Sequence, residues 1–227
     1  MASRHVSTRD GDTGERVRPE TPGPAASGRP RRADAERNRR ALLAAARRVF
    51  ERDGFVAARI TDIADEAGVA HGCFYSHFPG KEEIFAAVVA EVSDEMLHPG
   101  PPLTTPAGSD PVVAIEAANL AYLETYRRNA RFMALLEQVA TVNDTFLQIR
   151  LERSEAFLAR NARAIRRLQR AGLADPDLDP DLASLALSVM VSRSAYVAFV
   201  IGRQPVDTAR LAATLTRLWV SGLRLSG

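Results

Sequence analysis

The sequence predicts an all-α protein in which a small N-terminal helical unit precedes a larger helical one. Three observations carry this. Apolar residues recur at spacings of three and four along most of the chain, which gathers them on one side of a helix. Strict apolar–polar alternation, the mark of a half-buried strand, is absent. Glycine and proline cluster between the periodic segments, where they punctuate helices.

The total of 227 residues exceeds one small domain and falls short of two average ones. A hydrophobic share of 46% is enough for a sizeable core. Cys73 is the single cysteine, so an internal disulfide and a cysteine-built zinc site are excluded. This suits a reducing, cytoplasmic setting, and Met1 to Asp12 lack the apolar centre of a secretory signal. Leu182 to Ile201 is long and apolar, but Arg193 sits near its middle among four serines. A central arginine costs roughly 2.5–3.5 kcal/mol on insertion into a bilayer, so this stretch is read as a buried helix and no membrane partner is expected.

Residues 1–33 are rich in proline, glycine and arginine without apolar period and read as a disordered basic arm. Positive charge is local to the segment that follows. From Arg29 to Arg59 there are ten arginines against four carboxylates, whereas from Glu91 onward fifteen bases meet fifteen acids. Such a local excess is the footprint of a polyanion partner or of a solvated helix face.

Asp34 is the expected N-cap of the first helix. Leu42, Ala46, Val49 and Phe50 make its apolar face, and Gly54 its left-handed ending, with Phe55 folded back on Phe50. Ile60, Ile63, Ala64 and Ala67 make a second face, closed by Gly68. A third helix runs over about 70–77, with Phe74 and Phe78 inward, and Pro79 ends it. Lys81-Glu82-Glu83 opens a fourth, reaching about Met96, and Pro99 to Pro111 reads as a loop. Further helices are expected near 111–128, 130–141, 143–171, 180–202 and 207–224.

Two short helices joined at Gly68-Val69 have the layout of a helix-turn-helix. A helix that enters a major groove about 12 Å wide needs small or hydrogen-bonding side chains outward. His71, Gly72, Tyr75 and Ser76 supply them, with no carboxylate to repel phosphates.

The run Phe50-x-x-x-Gly54-Phe55, Asp62-Ile63-Ala64-x-x-Ala67-Gly68-Val69, Gly72-x-Phe74-Tyr75-x-His77-Phe78-x-x-Lys81-Glu82 resembles the N-terminal domain of the TetR family of regulators. The resemblance spans about residues 37–92. It implies an all-α homodimer, with a three-helix helix-turn-helix DNA-binding domain at 34–80 and a helical effector-binding and dimerisation domain at 81–227. It implies a transcriptional regulator, foremost a repressor released from a palindromic operator by a small molecule. It places a groove-facing helix from Ala70 to His77, with His71, Gly72, Cys73, Ser76 and His77 nearest base edges. Tyr75 and Lys81 would contact phosphates, and Thr61 backbone or base. Family members often carry serine or threonine where Arg59 and Ala70 stand and threonine at Cys73; Arg59 would then replace a hydroxyl cap with a phosphate contact.

Rival readings of the same residues are weaker. His71 and His77 are six apart, on different helix faces, with no third ligand nearby, so no metal, cofactor or catalytic base is expected. P-loop, nucleophile-elbow, zinc-protease and dinucleotide-binding patterns are absent. An activator of the same fold, an all-helical enzyme and a non-specific DNA binder remain the alternatives. Tyr122, Tyr126, Met133, Gln138, Phe146, Phe157 and Met190 are effector-pocket candidates, against the reading that each is plain core. With few basic residues on their faces, the effector expected is apolar and uncharged. Leu185, Val189 and Tyr196 on one helix and Leu211, Leu215, Leu218 and Trp219 on the last are expected at a two-fold helical interface.

Overall fold

The computed structural model describes residues 28–98, 110–202 and 204–225. Among them the regular elements are all helical: α1 Gly28–Ala57, α2 Ile60–Ala67, α3 His71–Tyr75, α4 Lys81–Leu97, α5 Pro111–Arg128, α6 Ala130–Ala140, α7 Asp144–Arg170, α8 Pro180–Tyr196 and α9 Thr208–Leu223. A π-helical turn, Val197–Ile201, continues α8. The arm read at residues 1–33 lies outside the described residues except for its last part, which belongs to α1. Asp34 therefore stands inside a helix rather than at its cap. The loop read at Pro99 to Pro111 also lies outside them, except for Asp110 and Pro111.

Glycine sets the ends of the first two helices. Gly54 interrupts α1 with φ 77° and ψ 165°, a backbone open to glycine and strained for other residues. The φ is positive as expected, but ψ is extended, so the chain turns sharply there rather than closing in the left-handed helical form. Phe55 does fold back on Phe50, with ring centroids 5.9 Å apart. Gly68, at φ 67° and ψ 32°, is left-handed. Its N–H and that of Val69 return to the carbonyls of Asp65 and Ala64, which closes α2 and aims α3 across it.

Side-chain caps start some helices and not others. Asp110, Asn143, Asp179 and Asp207 each accept backbone N–H bonds at the starts of α5, α7, α8 and α9. α2, α3, α4 and α6 have no side-chain cap. Each missing cap is worth about 1 kcal/mol, so tertiary packing holds the small N-terminal helices.

That packing is aromatic. Phe74 on α3 is fully buried and Phe78 nearly so. Phe50 and Phe55 of α1 meet Phe85 of α4 at 5.0 and 4.9 Å, Phe85 meets Phe132 of α6 at 5.4 Å, and Phe146 of α7 meets both Phe85 and Phe55. One continuous cluster thus runs from α1 through α4 into α6 and α7. Residues 37–227 fall in one compact unit.

Further along, α9 lies chiefly on α5 and α8 on α7. Asn119 Nδ2 donates to Thr216 Oγ1 at 3.0 Å across the first pair. Ser184 Oγ donates to the Leu158 carbonyl and Asn161 Nδ2 to Ser188 Oγ across the second, which explains two of the serines in an otherwise apolar helix. Pro180–Ile201 is long and apolar enough to cross a membrane, yet only 22% of its apolar window is buried. The sequence reading of a buried helix is corrected: the chain covers one side of this helix and leaves Leu182, Leu185, Val189, Val197 and Ile201 exposed.

Candidate nucleic-acid interface and effector cavity

The start of α2 and the outer side of α3 form the candidate DNA face. Arg59, Thr61, Ala70, His71, Gly72, Tyr75 and Ser76 are exposed, while Cys73 and His77 are half-buried. Phe74 anchors α3 from below, so the opposite side must project outward. The His71 and Tyr75 rings sit edge to face, 5.4 Å apart, and Tyr75 remains 53% exposed despite its size. Arg59 and Ala70 precede their helices in extended conformation with no side-chain cap bond.

Part of the basic excess is neutralised internally. Arg48 and Arg52 on α1 grip Glu66 on α2 at 2.8 and 3.0 Å. Their hydrogen bonds hold the Glu66 carboxyl below the usual carboxylate range. These arginines tie the two helices together. The Arg39 guanidinium lies over the Phe78 ring at 5.5 Å.

Lys81, expected at a phosphate, has partners within the chain. Its ammonium donates to the Val56 carbonyl at 3.1 Å and the Ala58 carbonyl at 3.2 Å, and lies 4.9 Å from the Phe55 ring centre. It staples the start of α4 to the α1–α2 junction. A compact ammonium on a flexible stem reaches between two carbonyls and over a ring, where a planar guanidinium would not fit the same way.

Sequence reading missed a second clasp. Asn129, at the α5–α6 corner and 1% exposed, accepts from Arg47 of α1 at 2.6 Å and donates to Glu95 of α4 at 3.0 Å and to the Thr125 carbonyl at 2.9 Å. Arg47 also bonds Glu51 at 3.0 Å.

At the far end of α4 lies a cavity of about 300 Å³ walled by α4, α5, α6, α7 and α8. Tyr122, Tyr126, Met133 and Phe157 line it. Gln138 is exposed away from it, Phe146 is buried in the aromatic cluster, and Met190 packs on the core, so none of these three reaches its wall. Val189 and Tyr196, expected at a subunit interface, belong to the wall. Leu215 and Trp219 are buried in the chain's own core at 2% and 8% exposure because α5 covers that side of α9; Leu185, Val189 and Leu218 stay open at 45%, 51% and 49%. Leu211 is half-buried. The wall also holds Arg150, Arg153, Arg193 and Glu137, which corrects the expectation of few basic residues there. Arg150, Arg153 and Phe157 follow one another at helical spacing, so they share a face. Burial raises the Tyr122 phenol to about 12 and pushes Tyr126 higher still, against the charge of Arg153.

Among the described residues, no cluster of three or more metal-ligating side chains occurs. The sequence profile of the "Bacterial regulatory proteins, tetR family" matches residues 42–88, which include α2, α3 and the start of α4. EthR, a helix-turn-helix transcriptional regulator of Mycobacterium tuberculosis, is 26% identical over 192 residues, covering 81% of this chain and 85% of its own. GusR of Salmonella enterica has the same fold, with a TM-score of 0.68, 20% identity and coverage of 82% and 95%. SmeT, the repressor of a multidrug efflux pump in Stenotrophomonas maltophilia, superposes with a TM-score of 0.65 at 22% identity over 81% of this chain and 88% of its own. Its helix-turn-helix segment matches that profile, and the chain as a whole is similar in sequence and in fold to regulators of the TetR family.

Proposed function

We propose that the chain is a cytoplasmic repressor that holds an imperfect palindrome as a homodimer and lets go when a small molecule fills the cavity. The observation that carries this is the reach of α4. Met96 and Leu97 at its end wall the cavity, and Lys81 at its start is stapled to the α1–α2 junction. A helix of 17 residues spans about 25 Å, so it ties a ligand-sized space to the DNA face. A molecule that binds better to one tilt of α4 shifts DNA affinity by that preference and no more.

The poorly covered α8 supports the dimer. Leu182, Leu185, Val197 and Ile201 on that helix and its π-turn, with Leu218 on α9, leave a large apolar surface open, as a two-fold helix bundle requires. Two copies of α3 would enter successive major grooves about 34 Å apart. His71, Gly72, Cys73, Ser76 and His77 then lie nearest base edges. Tyr75, Thr61 and Arg59 contact the backbone, Ala70 opens the helix, and Lys81 acts by holding the junction. SmeT is a repressor, which supports that sign of regulation.

In vitro selection from random duplex DNA at near-physiological salt tests the reading. The expected product is an enriched sequence with two-fold symmetry. Retained DNA with no common sequence would refute operator recognition.

A further inference from the structure

The charge of the cavity wall names the class of its ligand, given the ligand-released reading above. The wall carries three guanidiniums, from Arg150, Arg153 and Arg193, and one carboxylate, from Glu137. Arg150 takes that carboxylate at 3.2 Å. The Arg193 guanidinium lies on the Tyr196 ring, 4.9 Å from its centre, an arrangement that leaves its N–H edges open. Among the described residues Arg153 donates to the Met133 sulfur alone, at 3.2 Å. A thioether is a weak acceptor, so a group with five donors ends beside a side chain that can hardly use one. Nearby, the hydroxyls of Tyr122 and Tyr126 have no hydrogen-bond partner among the described residues although both side chains are buried. Both phenols stay protonated, since burial raises them, and so both are donors. Apart from these groups and the hydroxyls of Ser154, Ser188 and Ser192, the wall is aromatic and aliphatic: Tyr122 meets Phe157 at 5.3 Å and Tyr126 at 6.0 Å, with Met96, Leu97 and Leu158 beside them.

An apolar space with surplus donors and surplus positive charge is matched by a ligand with an acceptor-only anionic head and an aromatic body. We propose that the cavity binds an aromatic carboxylate, its head on Arg153 and the tyrosine hydroxyls and its rings among Tyr122, Phe157 and Tyr196. A carboxylate matches a guanidinium fork with two parallel bonds. A neutral ligand would leave the fork desolvated without compensation, and a cation would be repelled.

The test uses the full chain and two isosteric probes, 2-naphthoate and 2-naphthamide, with affinities read by calorimetry. The acid should bind about 10-fold or more tighter than the amide, the effect of one charge-assisted hydrogen-bonded pair. Arg153→Gln should collapse that ratio toward one, and Arg153→Lys should restore part of it. Arg193→Gln, at an exposed position, is the second variant should Arg153→Gln fail to fold, and it should lower the ratio as well. An amide that binds as well as the acid, a ratio untouched by both glutamine variants, or no binding of either probe at millimolar concentration would overturn the proposal. Operator release is scored separately. Selective binding of the acid without loss of DNA affinity keeps the anion site and sinks the ligand-released reading. Release by the amide as readily as by the acid does the reverse.

Discussion

Replacing Asn129 by alanine should loosen the seam between the DNA-reading helices and the rest of the chain. The amide is buried and makes three hydrogen bonds, two of them to charged partners, Arg47 at 2.6 Å and Glu95 at 3.0 Å. A hydrogen bond to a charged group contributes about 1.5–3 kcal/mol. Arg47 keeps Glu51 at 3.0 Å and Glu95 is exposed, so water and the remaining partner recover part of the loss. The expected cost is about 3 kcal/mol, near the lower end of the sum of two such bonds. For a chain of this size that corresponds to a fall in melting temperature of about 6–12 °C, read by circular dichroism at fixed protein concentration. A double-mutant cycle with Arg47→Met isolates the pair and should give a coupling of about 1–2 kcal/mol. A fall smaller than about 2 °C, or a cycle that closes on zero, would mean that Asn129 merely fills space at the α5–α6 corner.

Two further outcomes separate alternative roles of Lys81 and of Tyr122. Lys81→Ala should lower the melting temperature while leaving the dependence of log affinity on log salt unchanged; a slope shallower by about 0.9 per subunit would instead assign the ammonium to a phosphate. In alkaline titration followed by tyrosinate absorbance, Tyr122→Phe should remove a step near pH 12. The sign follows from burial: the folded state holds the phenolic proton longer than the unfolded one, so stability is full below the ordinary phenol value of 10.0 and is lost as pH rises toward about 12. Loss of a step near the ordinary value would place that hydroxyl in water.

What the sequence made legible was local. Gly68 between two apolar faces, Phe74 and Phe78 one turn apart, and Pro111 and Pro180 just inside helix starts are each decided within a few residues. The observed bounds of α5, Pro111–Arg128, match the expected ones. Periodicity names an apolar face without naming what covers it. Leu215 and Trp219 show the stripe of an interface, yet α5 of the same chain buries them. Lys81 sits where a phosphate contact is expected, and the carbonyls that engage it become its neighbours only after α1 turns at Gly54. Arg153 and Arg193 carry no signal of a pocket in the sequence, because the space beside them exists only once α4, α5 and α6 enclose it. Asn129 carries no local signal, because its partners lie on helices far away in sequence.

The aromatic cluster bears on how this protein could be taken apart. Phe50 and Phe55 on one side, Phe132 and Phe146 on the other, all close on Phe85. A fragment cut after α4 would keep Phe85 but strip it of two ring partners and expose a greasy socket to water. A chimera that grafts the reading helices onto another sensor would meet the same difficulty unless the socket travels with them. In the proposed reading the base contacts lie on α3, so they are the easier thing to exchange: replacing outward residues of that helix leaves the rings undisturbed. Divergence within such a chain is therefore freest on the outer side of α3 and most constrained around one phenylalanine in α4.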